Sequence, residues 1–404
     1  MVIGIDASRA NRKNKTGTEW YSFYLIKNLA KIDNNNRYVL YLDTDPGIEL
    51  LQIIKDHWNF SYKVLNWPLT SFWTLGRLSL EMLFKRPDVL FVPAHGIPLI
   101  HPKKTINTIH DVAFVRELNI YREEAPKAST KFRRRALKFI IRLITLGKYE
   151  GNSLEYLNWS TSFALNHASK IITVSNFTKE EILSYYPKTK ANIISVVHNG
   201  YPEDLFNKSR NEEEITAVLN KYNITKPYYL YVGRLEKKKN TSFLVEALSI
   251  IRSDYPQIKE KLVLIGNASY GYDEVKYAIE EFNLGKEVIM PGWVEEVDMP
   301  NIFKGASAFI FPTRHEGFGI PVLQSLACGT VTAVSDIPVL HEVAGEAVVY
   351  FDQNDKRAIA EAMVKLVLDK DLQQQFTIKG LEQAKKFSWL TCAQETLAVI
   401  ENRF

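Results

Sequence analysis

The residues best suited to chemistry lie in two loops of the second half of the chain. The first loop begins at Gly233 and contains Arg234 and Lys239, just before a predicted helix. A glycine lets the backbone approach a ligand, arginine offers a planar fork of donors, and lysine supplies a point charge near a helix N-terminus. Together these residues are suited to bind a diphosphate. The alternative is a solvated basic turn, which is our interpretation of Lys237 and Lys238.

The second loop runs from Glu316 into another predicted helix. Gly317 and Gly319 expose backbone N–H groups at the start of that helix, where its dipole stabilises a developing phosphate charge. Glu316 is placed to accept hydrogen bonds from sugar hydroxyls. Gln324 lies about two turns further along a similar helix face, where it can bond a ribose hydroxyl. The alternative for this segment is simply a capped helix start.

Two further candidates lie in the first half. His110 follows a predicted strand, and its imidazole can donate a hydrogen bond to a sugar hydroxyl or to a backbone carbonyl, with Asp111 as the group that would fix its tautomer. Gly17 precedes an amphipathic helix and would let the backbone approach a phosphate. A single histidine at a strand end is more often structural, and a single glycine is weak evidence.

An Asp-x-Asp pair, Asp43-Thr44-Asp45, suggests a different kind of site. Such pairs hold a divalent ion on the diphosphate in many metal-dependent glycosyltransferases of another fold. However, Pro46-Gly47 follows directly, and aspartates beside Pro-Gly are typical of turns. We therefore interpret the pair as a turn, because a basic diphosphate clamp makes a metal redundant. The sequence predicts neither a metal nor another cofactor.

These loops must be positioned by strands, and short apolar runs alternate with helix-length segments along the whole chain. This alternation predicts an α/β fold with doubly wound, Rossmann-like parallel sheets. Such sheets bind ligands at the carboxyl ends of their strands, where all the candidates above lie. The predicted strands are Val2–Ile5, Tyr38–Leu42, Val64–Leu65, Val89–Phe91, Thr105–Ile109, Lys170–Val174, Ile193–Val197, Tyr228–Val232, Lys261–Ile265, Glu287–Met290, Ala308–Phe311, Val331–Val334 and Ala347–Tyr350.

The chain has 404 residues, which exceeds one ordinary core and indicates two domains. A polar segment after Tyr201 interrupts the alternation, so we place an acceptor-binding domain at 1–205 and a donor-binding domain at 206–385. The remaining helical residues, 386–404, are predicted to pack back on the first domain. The composition is that of a globular protein, with 46% hydrophobic and 24% charged residues. Cys328 and Cys392 lack metal-like spacing and are predicted to be reduced core residues.

Positive charge is concentrated in residues 125–149, which contain no acidic residue. In a helical projection of 131–146, apolar side chains and the cations Arg134, Arg135, Lys138 and Arg142 lie on opposite faces, although Ile141 breaks the pattern. Two interpretations remain open: a solvated helix that packs on its own domain, or a helix that binds a membrane surface or an anionic acceptor. The net charge of +5 does not indicate a nucleic-acid partner.

In this order, the motifs resemble those of the retaining glycosyltransferases of family 4, which have the two-domain GT-B fold. The resemblance spans nearly the whole chain and is strongest in its second half. The segments that carry it are Val232-Gly233-Arg234-Leu235 with Lys239-Asn240, Pro291-Gly292-Trp293-Val294, Glu316-Gly317-Phe318-Gly319-Ile320-Pro321, Ala327-Cys328-Gly329-Thr330, Ser335-Asp336, Glu342-Val343-Ala344-Gly345, His110-Asp111, Thr173-Val174-Ser175-Asn176-Phe177-Thr178 and His198-Asn199-Gly200.

The resemblance implies a role for each of these positions. Arg234 and Lys239 would neutralise the leaving diphosphate, Glu316 would contact the donor sugar, and the loop with Val294 would meet the base. The same resemblance assigns the helix start at Gly317, Phe318 and Gly319 to the donor, Gly17 to the phosphates, and His110 to the reacting face of the sugar. The family usually has a second glutamate where this chain has Gln324, whose amide still accepts from a ribose hydroxyl, so weaker donor binding is expected.

The implied function is metal-independent transfer, with retention, of a hexose-type sugar from a nucleotide diphosphate. The acceptor would be a glycan or a lipid-linked molecule in cell-surface polysaccharide or glycoconjugate synthesis. A non-catalytic sugar-nucleotide binding protein, motivated by Gln324, and a nucleotide-sugar epimerase of similar architecture are the alternatives. Because neither a signal segment nor an apolar stretch long enough to span a bilayer is apparent, we expect a cytoplasmic protein, with a peripheral position on the inner face of the membrane as an open alternative.

Overall fold

The computed structural model describes residues 1–67, 73–116, 153–207, 209 and 211–403. Contacts divide the chain into two compact units. One consists of Met1–Asn199 together with the residues from Trp389 onward, and the other of Gly200–Ser388. The first boundary therefore lies a few residues before the position predicted from the sequence. The polar segment after Tyr201, which suggested the boundary, contains the helix Glu212–Lys221 of the second unit.

The first unit is built on a parallel seven-stranded sheet with the order β3-β2-β1-β4-β5-β6-β7. Its central strands β4 and β5 are buried at every position, as expected for a parallel sheet covered by helices on both faces. The strands are β1 (Val2–Asp6), β2 (Arg37–Leu42), β3 (Phe60–Val64), β4 (Val89–Val92), β5 (Thr105–Ile109), β6 (Lys170–Thr173) and β7 (Ile194–Val196).

The second unit repeats this architecture with a parallel six-stranded sheet in the order β10-β9-β8-β11-β12-β13. Strands β11 and β12 are again completely buried. The two Rossmann-like sheets confirm the fold class predicted from the sequence. The strands are β8 (Tyr228–Val232), β9 (Lys261–Ile265), β10 (Val288–Gly292), β11 (Ala308–Phe311), β12 (Thr332–Ser335) and β13 (Val349–Phe351).

Helices connect most of the consecutive strands in both units, although residues 93–104 between β4 and β5 form no helix. Those of the first unit are Gly17–Ile32, Ile48–Asp56, Ser79–Phe84, Ala113–Arg116, Ser153–His167, Asn176–Tyr185 and Trp389–Ile400, with a π-helical segment at Trp73–Leu78. Those of the second unit are Glu212–Lys221, Thr241–Asp254, Tyr272–Glu281, Met299–Gly305, Ile320–Ala327, Pro338–Ala344, Lys356–Leu368 and Lys370–Ala384.

The last helix, Trp389–Ile400, packs on the first unit, as the sequence predicted. Trp389 is only 3% exposed and stacks on Tyr24 with ring centroids 5.7 Å apart. Tyr21 meets the same indole edge-on at 6.0 Å. Large aromatic contacts of this kind contribute both apolar burial and favourable ring geometry, so they fix the helix against Gly17–Ile32.

The strand predictions are confirmed in number and order, but β3 is misplaced. The sequence suggested Val64–Leu65, the only pair of adjacent aliphatic residues in this part of the chain. The structure places the strand at Phe60–Val64. This strand lies at the edge of the sheet, and Tyr62 is 43% exposed. Edge strands lack the continuous apolar run of buried parallel strands, which explains the error.

The membrane-related predictions receive little structural information. Within the described part of the chain, none of the helices combines the length and hydrophobicity that a bilayer-spanning segment needs. The basic stretch 125–149, including the proposed membrane-binding segment 131–146, lies outside the described residues. Both interpretations of that stretch therefore remain predictions.

Candidate functional site

The loops after β8 and β9 each contain a glycine that packing within the second unit explains. A Cβ on Gly266, whose φ is +145°, would lie 1.9 Å from the carbonyl oxygen of Gly233. A Cβ on Gly233 would lie 2.6 Å from the Tyr231 hydroxyl, which donates to the Arg234 carbonyl at 2.9 Å. Packing within the protein therefore already explains Gly233, which the sequence analysis had assigned to backbone approach toward a ligand. This packing fixes the backbone that carries Arg234.

The cations of this loop differ in how they are neutralised. Lys237 Nζ lies 3.2 Å from Glu274, and Lys238 Nζ lies 3.6 Å from Glu236. By contrast, the exposed guanidinium of Arg234 forms no ion pair with any described carboxylate. The interpretation as a solvated turn agrees with Lys237, whose pair is 32% and 49% exposed, but not with Lys238, whose pair is only 21% and 5% exposed. Arg234 retains a full positive charge that can bind an anion.

Lys239 forms an ion pair with Glu316, which joins the two loops singled out in the sequence. The two side chains are only 14% and 13% exposed, so the pair is largely removed from water. A second connection between the loops is the backbone bond from Arg314 N to Lys238 O at 2.9 Å. Because both partners of the ion pair are held at the carboxyl ends of β8 and β11, the pair presents one cation and one hydrogen-bond acceptor in a fixed geometry.

The helix Ile320–Ala327 begins directly beyond this pair. Gly319 has φ +106°, a left-handed conformation that favours glycine, and a Cβ there would lie 3.0 Å from Leu340. The backbone N–H of Gly319 donates to no described residue. Since the N-terminus of a helix carries partial positive charge, this N–H is suited to an anionic ligand.

The structure shows the surroundings of three further predicted donor-binding residues. Phe318 is buried edge-on against Phe387 with centroids 5.7 Å apart, so little of its side chain is accessible to a ligand. Val294 is 6% exposed, whereas its neighbour Trp293 is 38% exposed. The partly buried amide of Gln324 makes no hydrogen bond to a described residue. The roles of these positions toward a donor stay predictions.

In the first unit, Gly17 is the first residue of the helix Gly17–Ile32 and is exposed. A Cβ on Gly17 would meet nothing within 4 Å, so packing does not require a glycine there. The helix start is capped by Thr16 and Glu19, and Arg9 lies 3.2 Å from the Glu19 carboxylate. Burial raises the pKa of Glu19, but the hydrogen bonds from Thr16 and the charge of Arg9 outweigh it and lower the pKa below its ordinary value.

His110 follows β5, and its Nε2 lies 3.0 Å from the Pro93 carbonyl oxygen. Because a carbonyl can only accept, Nε2 carries the proton. Burial, together with neighbouring His95, lowers the pKa of His110 from 6.5 to about 4. The ring is therefore neutral at physiological pH, with Nδ1 as an acceptor. The Pro93 carbonyl fixes the tautomer, rather than Asp111 as the sequence suggested, since Asp111 Oδ1 accepts from Ala113 N at 3.2 Å.

The lowered pKa of His110 predicts a pH-dependent stability. The unfolded chain binds a proton at His110 near pH 6.5 and the folded chain only near pH 4, so folding becomes less favourable as the pH falls through this window. Compared with His110→Asn, which does not titrate, the native chain should lose up to about 3 kcal/mol more between pH 7 and pH 4. Urea unfolding at several pH values measures this difference, and parallel pH profiles for both proteins would contradict the assignment.

The Asp43-Thr44-Asp45 segment is held by residues of the loop after β1. Arg12 lies 2.7 Å from Asp43. The Asn11 amide donates to Thr44 Oγ1 at 3.0 Å and to the Asp45 carbonyl at 2.9 Å, and its oxygen accepts from Gly47 N at 2.8 Å. These bonds favour the turn interpretation. Among the described residues, no group of three or more His, Cys, Asp or Glu side chains is arranged to hold a metal ion.

The structure adds residues that the sequence analysis missed. His95 follows β4 and lies beside His110, with ring centroids 6.0 Å apart. Arg9 lies beside the start of the helix Gly17–Ile32 through its contact with Glu19. Both could in part have been found from the sequence, because each comes a few residues after a predicted strand of a nucleotide-type fold. For Arg9 there was a further signal, since its partner Glu19 and Thr16 have the spacing of a capping box.

Comparison with protein families gives two consecutive matches. The model for "Glycosyltransferase Family 4" matches residues 15–205, and the model for "Glycosyl transferases group 1" matches residues 212–383. The first lies mainly in the unit that contains Gly17 and His110. The second covers Arg234, Lys239, Glu316 and Gln324.

Among curated proteins, the chain is 28% identical over 327 residues to O-antigen chain mannosyltransferase B of Escherichia coli, covering 80% of this chain and 82% of that protein. It is 27% identical over 267 residues to alpha-maltose-1-phosphate synthase of Mycolicibacterium smegmatis, covering 62% of this chain and 67% of that protein. Both relatives are enzymes that, by their names, transfer or synthesise sugars.

Among solved structures, sucrose-phosphate synthase from Thermosynechococcus elongatus matches with a TM-score of 0.72 at 17% identity, covering 100% of this chain and 99% of that one. Anabaena HepE, solved with UDP and glucose, matches with a TM-score of 0.68 at 15% identity, covering 99% of both chains. At these identities the matches establish the shared fold only.

Proposed function

The chain belongs to the family 4 glycosyltransferases with the GT-B fold, and on that premise we propose that it transfers a hexose, with retention and without a metal ion, from a nucleotide diphosphate to a glycan or lipid-linked acceptor. The observation that carries the proposal is the Lys239–Glu316 ion pair at the start of the helix Ile320–Ala327, in the same unit as Arg234, which pairs with no described carboxylate. These groups combine cations for a diphosphate with an acceptor for sugar hydroxyls.

The diphosphate is the first part of the donor that these residues fit. Arg234 has no neutralising carboxylate among the described residues, and Lys239 can share its charge between Glu316 and a phosphate oxygen. A hydrogen bond to a charged group contributes about 1.5–3 kcal/mol, and a helix N-terminus adds up to about 1 kcal/mol. Together, two cations and a helix start offset the charge of a diphosphate without a divalent ion.

Glu316 is the group we assign to the donor sugar. Its ionised carboxylate accepts hydrogen bonds and cannot donate them, so it suits hydroxyl groups. Lys239 keeps that carboxylate oriented before a ligand arrives, which reduces the free-energy cost of ordering it on binding. Mannose is the first sugar to test, because a relative that aligns with most of this chain is named as a mannosyltransferase.

Transfer with retention needs few protein groups. The bond between the anomeric carbon and the diphosphate breaks, and the acceptor oxygen forms a bond to the same face of that carbon. The acceptor proton passes to a phosphate oxygen of the leaving group. Unlike a retaining glycosidase, such a site needs no carboxylate nucleophile on the opposite face. Arg234, Lys239 and the helix N-terminus would stabilise the charge that develops on the diphosphate.

The first test is donor binding in the presence of EDTA. Thermal-shift measurements with UDP, GDP and ADP sugars should give a stabilisation for one base, because a ligand that binds only the folded state raises its melting temperature. The shift should disappear in Arg234→Ala and in Lys239→Ala. A shift that appears only after magnesium or manganese is added would contradict the metal-free clamp and direct attention to Asp43 and Asp45.

A non-catalytic sugar-nucleotide binding protein is the alternative, and the observation that favours it is Gln324. Its amide makes no hydrogen bond to a described residue, and it stands where the family usually has a second glutamate. This alternative predicts the same thermal shift but no release of nucleotide diphosphate with any acceptor. A measured turnover, however slow, excludes it.

A lipid-linked acceptor would place the reaction at the inner face of the membrane. The same turnover assay, run with lipid-linked and with free glycans, tests this part of the proposal.

A further inference from the structure

Two histidines follow adjacent strands of the first unit and hold each other's loops. His110, after β5, donates from Nε2 to the Pro93 carbonyl of the loop after β4 at 3.0 Å. His95, after β4, has its Nε2 2.7 Å from the Asp111 carbonyl of the loop after β5. The contacts are reciprocal, since each ring bonds the main chain beside the other histidine. The ring centroids are 6.0 Å apart and the planes are inclined by 38°.

This arrangement decides which ring nitrogen faces a ligand. A backbone carbonyl can only accept, so Nε2 is the protonated nitrogen of both rings. In the neutral imidazole, Nδ1 is then an acceptor. Neither Nδ1 is hydrogen-bonded to a described residue, and neither side chain is fully buried. Two rings that each offer an acceptor nitrogen therefore lie at the carboxyl edge of β4 and β5, with centroids 6.0 Å apart.

The surrounding contacts hold the pair in place. The buried Asn107 amide donates to the Val92 carbonyl at 3.2 Å and also to the Ala94 carbonyl, which fixes the backbone on either side of Pro93. Gly96, next to His95, has φ +89°, a conformation that favours glycine. The Tyr21 ring meets His110 edge-on at 4.7 Å. These contacts fix both rings at a strand end where the two histidines remain partly exposed.

A metal ion is a poor occupant of this pair. Both Nε2 atoms are engaged with carbonyl groups, which leaves only the two Nδ1 atoms as ligands. Within the described residues, no third His, Cys, Asp or Glu joins them in a metal-binding arrangement. Two acceptor nitrogens also fit a phosphate badly, since a phosphate requires donors.

We propose that His95 and His110 form a two-point acceptor for hydroxyl groups of one hexose, and that His95 thereby contributes to sugar specificity. The inference rests on the proposed function, because it assumes that a hexose is bound at this edge of the sheet. A hydroxyl donates to each Nδ1, and the fixed spacing of the two nitrogens selects hexoses with hydroxyls at matching positions. The hexose belongs either to the donor or to the acceptor.

Two substitutions separate the acceptor role from the structural one. The amide of His95→Gln reaches about as far as Nε2, so it keeps the bond to the Asp111 carbonyl and loses the acceptor at Nδ1. The shorter amide of His95→Asn places an oxygen near Nδ1 and retains an acceptor there. We expect His95→Asn to keep hydroxyl discrimination that His95→Gln loses.

The donor arm uses GDP-mannose, UDP-glucose and their 3-, 4- and 6-deoxy forms, with release of nucleotide diphosphate in the absence of acceptor as the readout. Removing the hydroxyl that His95 contacts should lower kcat/KM of the native protein by about tenfold, the usual effect of losing one neutral hydrogen bond. His95→Gln should show the same low value with the parent and the deoxy donor. His95→Asn should restore the difference between them.

The acceptor arm titrates methyl α-D-mannopyranoside and its deoxy forms into protein saturated with nucleotide diphosphate, with 15N histidine resonances as the readout.

If His95→Gln no longer distinguishes the parent sugar from its deoxy form in one of the two arms, the proposal is supported and the source of the hexose is identified. Unchanged discrimination in both arms overturns it. If the native protein binds no nucleotide in the thermal-shift test, the proposed function itself fails, which is a distinguishable result.

Discussion

Lys239→Ala is expected to lower kcat/KM by about a hundredfold to a thousandfold while the chain remains folded. The substitution removes a cation from the place where we put the leaving diphosphate, and one such preorganised interaction is worth about that factor. It also leaves Glu316, only 13% exposed, without its partner. Steady-state kinetics with the donor selected by thermal shift measure the loss, and urea unfolding measures the cost of the unpaired carboxylate, which we expect to be about 1–3 kcal/mol.

Lys238→Ala is the matched control for this prediction. It removes the same side chain from the adjacent position, where Nζ lies 3.6 Å from Glu236. Its backbone carbonyl, which accepts from Arg314 N, is unaffected. We expect kcat/KM to change by less than about threefold, because we assign Lys238 no contact with the diphosphate, although Glu236, only 5% exposed, also loses its partner. Equal losses in the two variants would mean that general charge, and not the Lys239–Glu316 geometry, supports activity.

Gly17→Ala is expected to have opposite effects on activity and stability. A Cβ at this position meets nothing within 4 Å of the protein, and alanine is the better helix former. The free energy of unfolding should therefore rise by a few tenths up to about 1 kcal/mol. Activity should fall by at least about tenfold, because the methyl group occupies space that we assign to a phosphate. Gly17→Gln, which fills more of that space, should lose more than about a hundredfold.

Gly285→Ala provides the control, since a Cβ there also meets nothing within 4 Å. Gly285 precedes β10 and so lies at the amino edge of its sheet, away from the candidate residues. We expect unchanged kinetics for this variant. If Gly17→Ala were as active as Gly285→Ala, no ligand would approach the start of the helix Gly17–Ile32, and Gly17 would have to be removed from the candidate site.

The fold could be predicted from the sequence because parallel strands buried on both faces appear as continuous apolar runs. Strands β5, β8, β9 and β11 were predicted with the bounds that the structure gives. The edge strand β3 was not, because only Phe60 of this strand is buried, whereas Ser61 and Tyr62 are exposed. A strand with so little burial lacks the continuous apolar run that identified the other strands.

The residues of the candidate site could be selected from the sequence, but the contacts between them could not be predicted. Arg234, Lys239 and Glu316 follow predicted strands, which was enough to select them. The pairing of Lys239 with Glu316 joins positions far apart in the chain and depends on the order of strands in the sheet. Likewise, Asp111 was the obvious partner of His110 in the sequence, whereas the Pro93 carbonyl becomes its partner only because β4 and β5 are neighbours.

The most direct test of the central claim follows the donor sugar by proton NMR in the presence of EDTA. GDP-mannose, or the donor that the thermal-shift screen selects, is incubated with the protein and a simple mannoside acceptor, and the configuration of the new linkage is read from its anomeric signal. The account predicts a product with the configuration of the donor, formed at a rate that chelation does not change. An inverted product, or a reaction that stops until a divalent metal is restored, would contradict it.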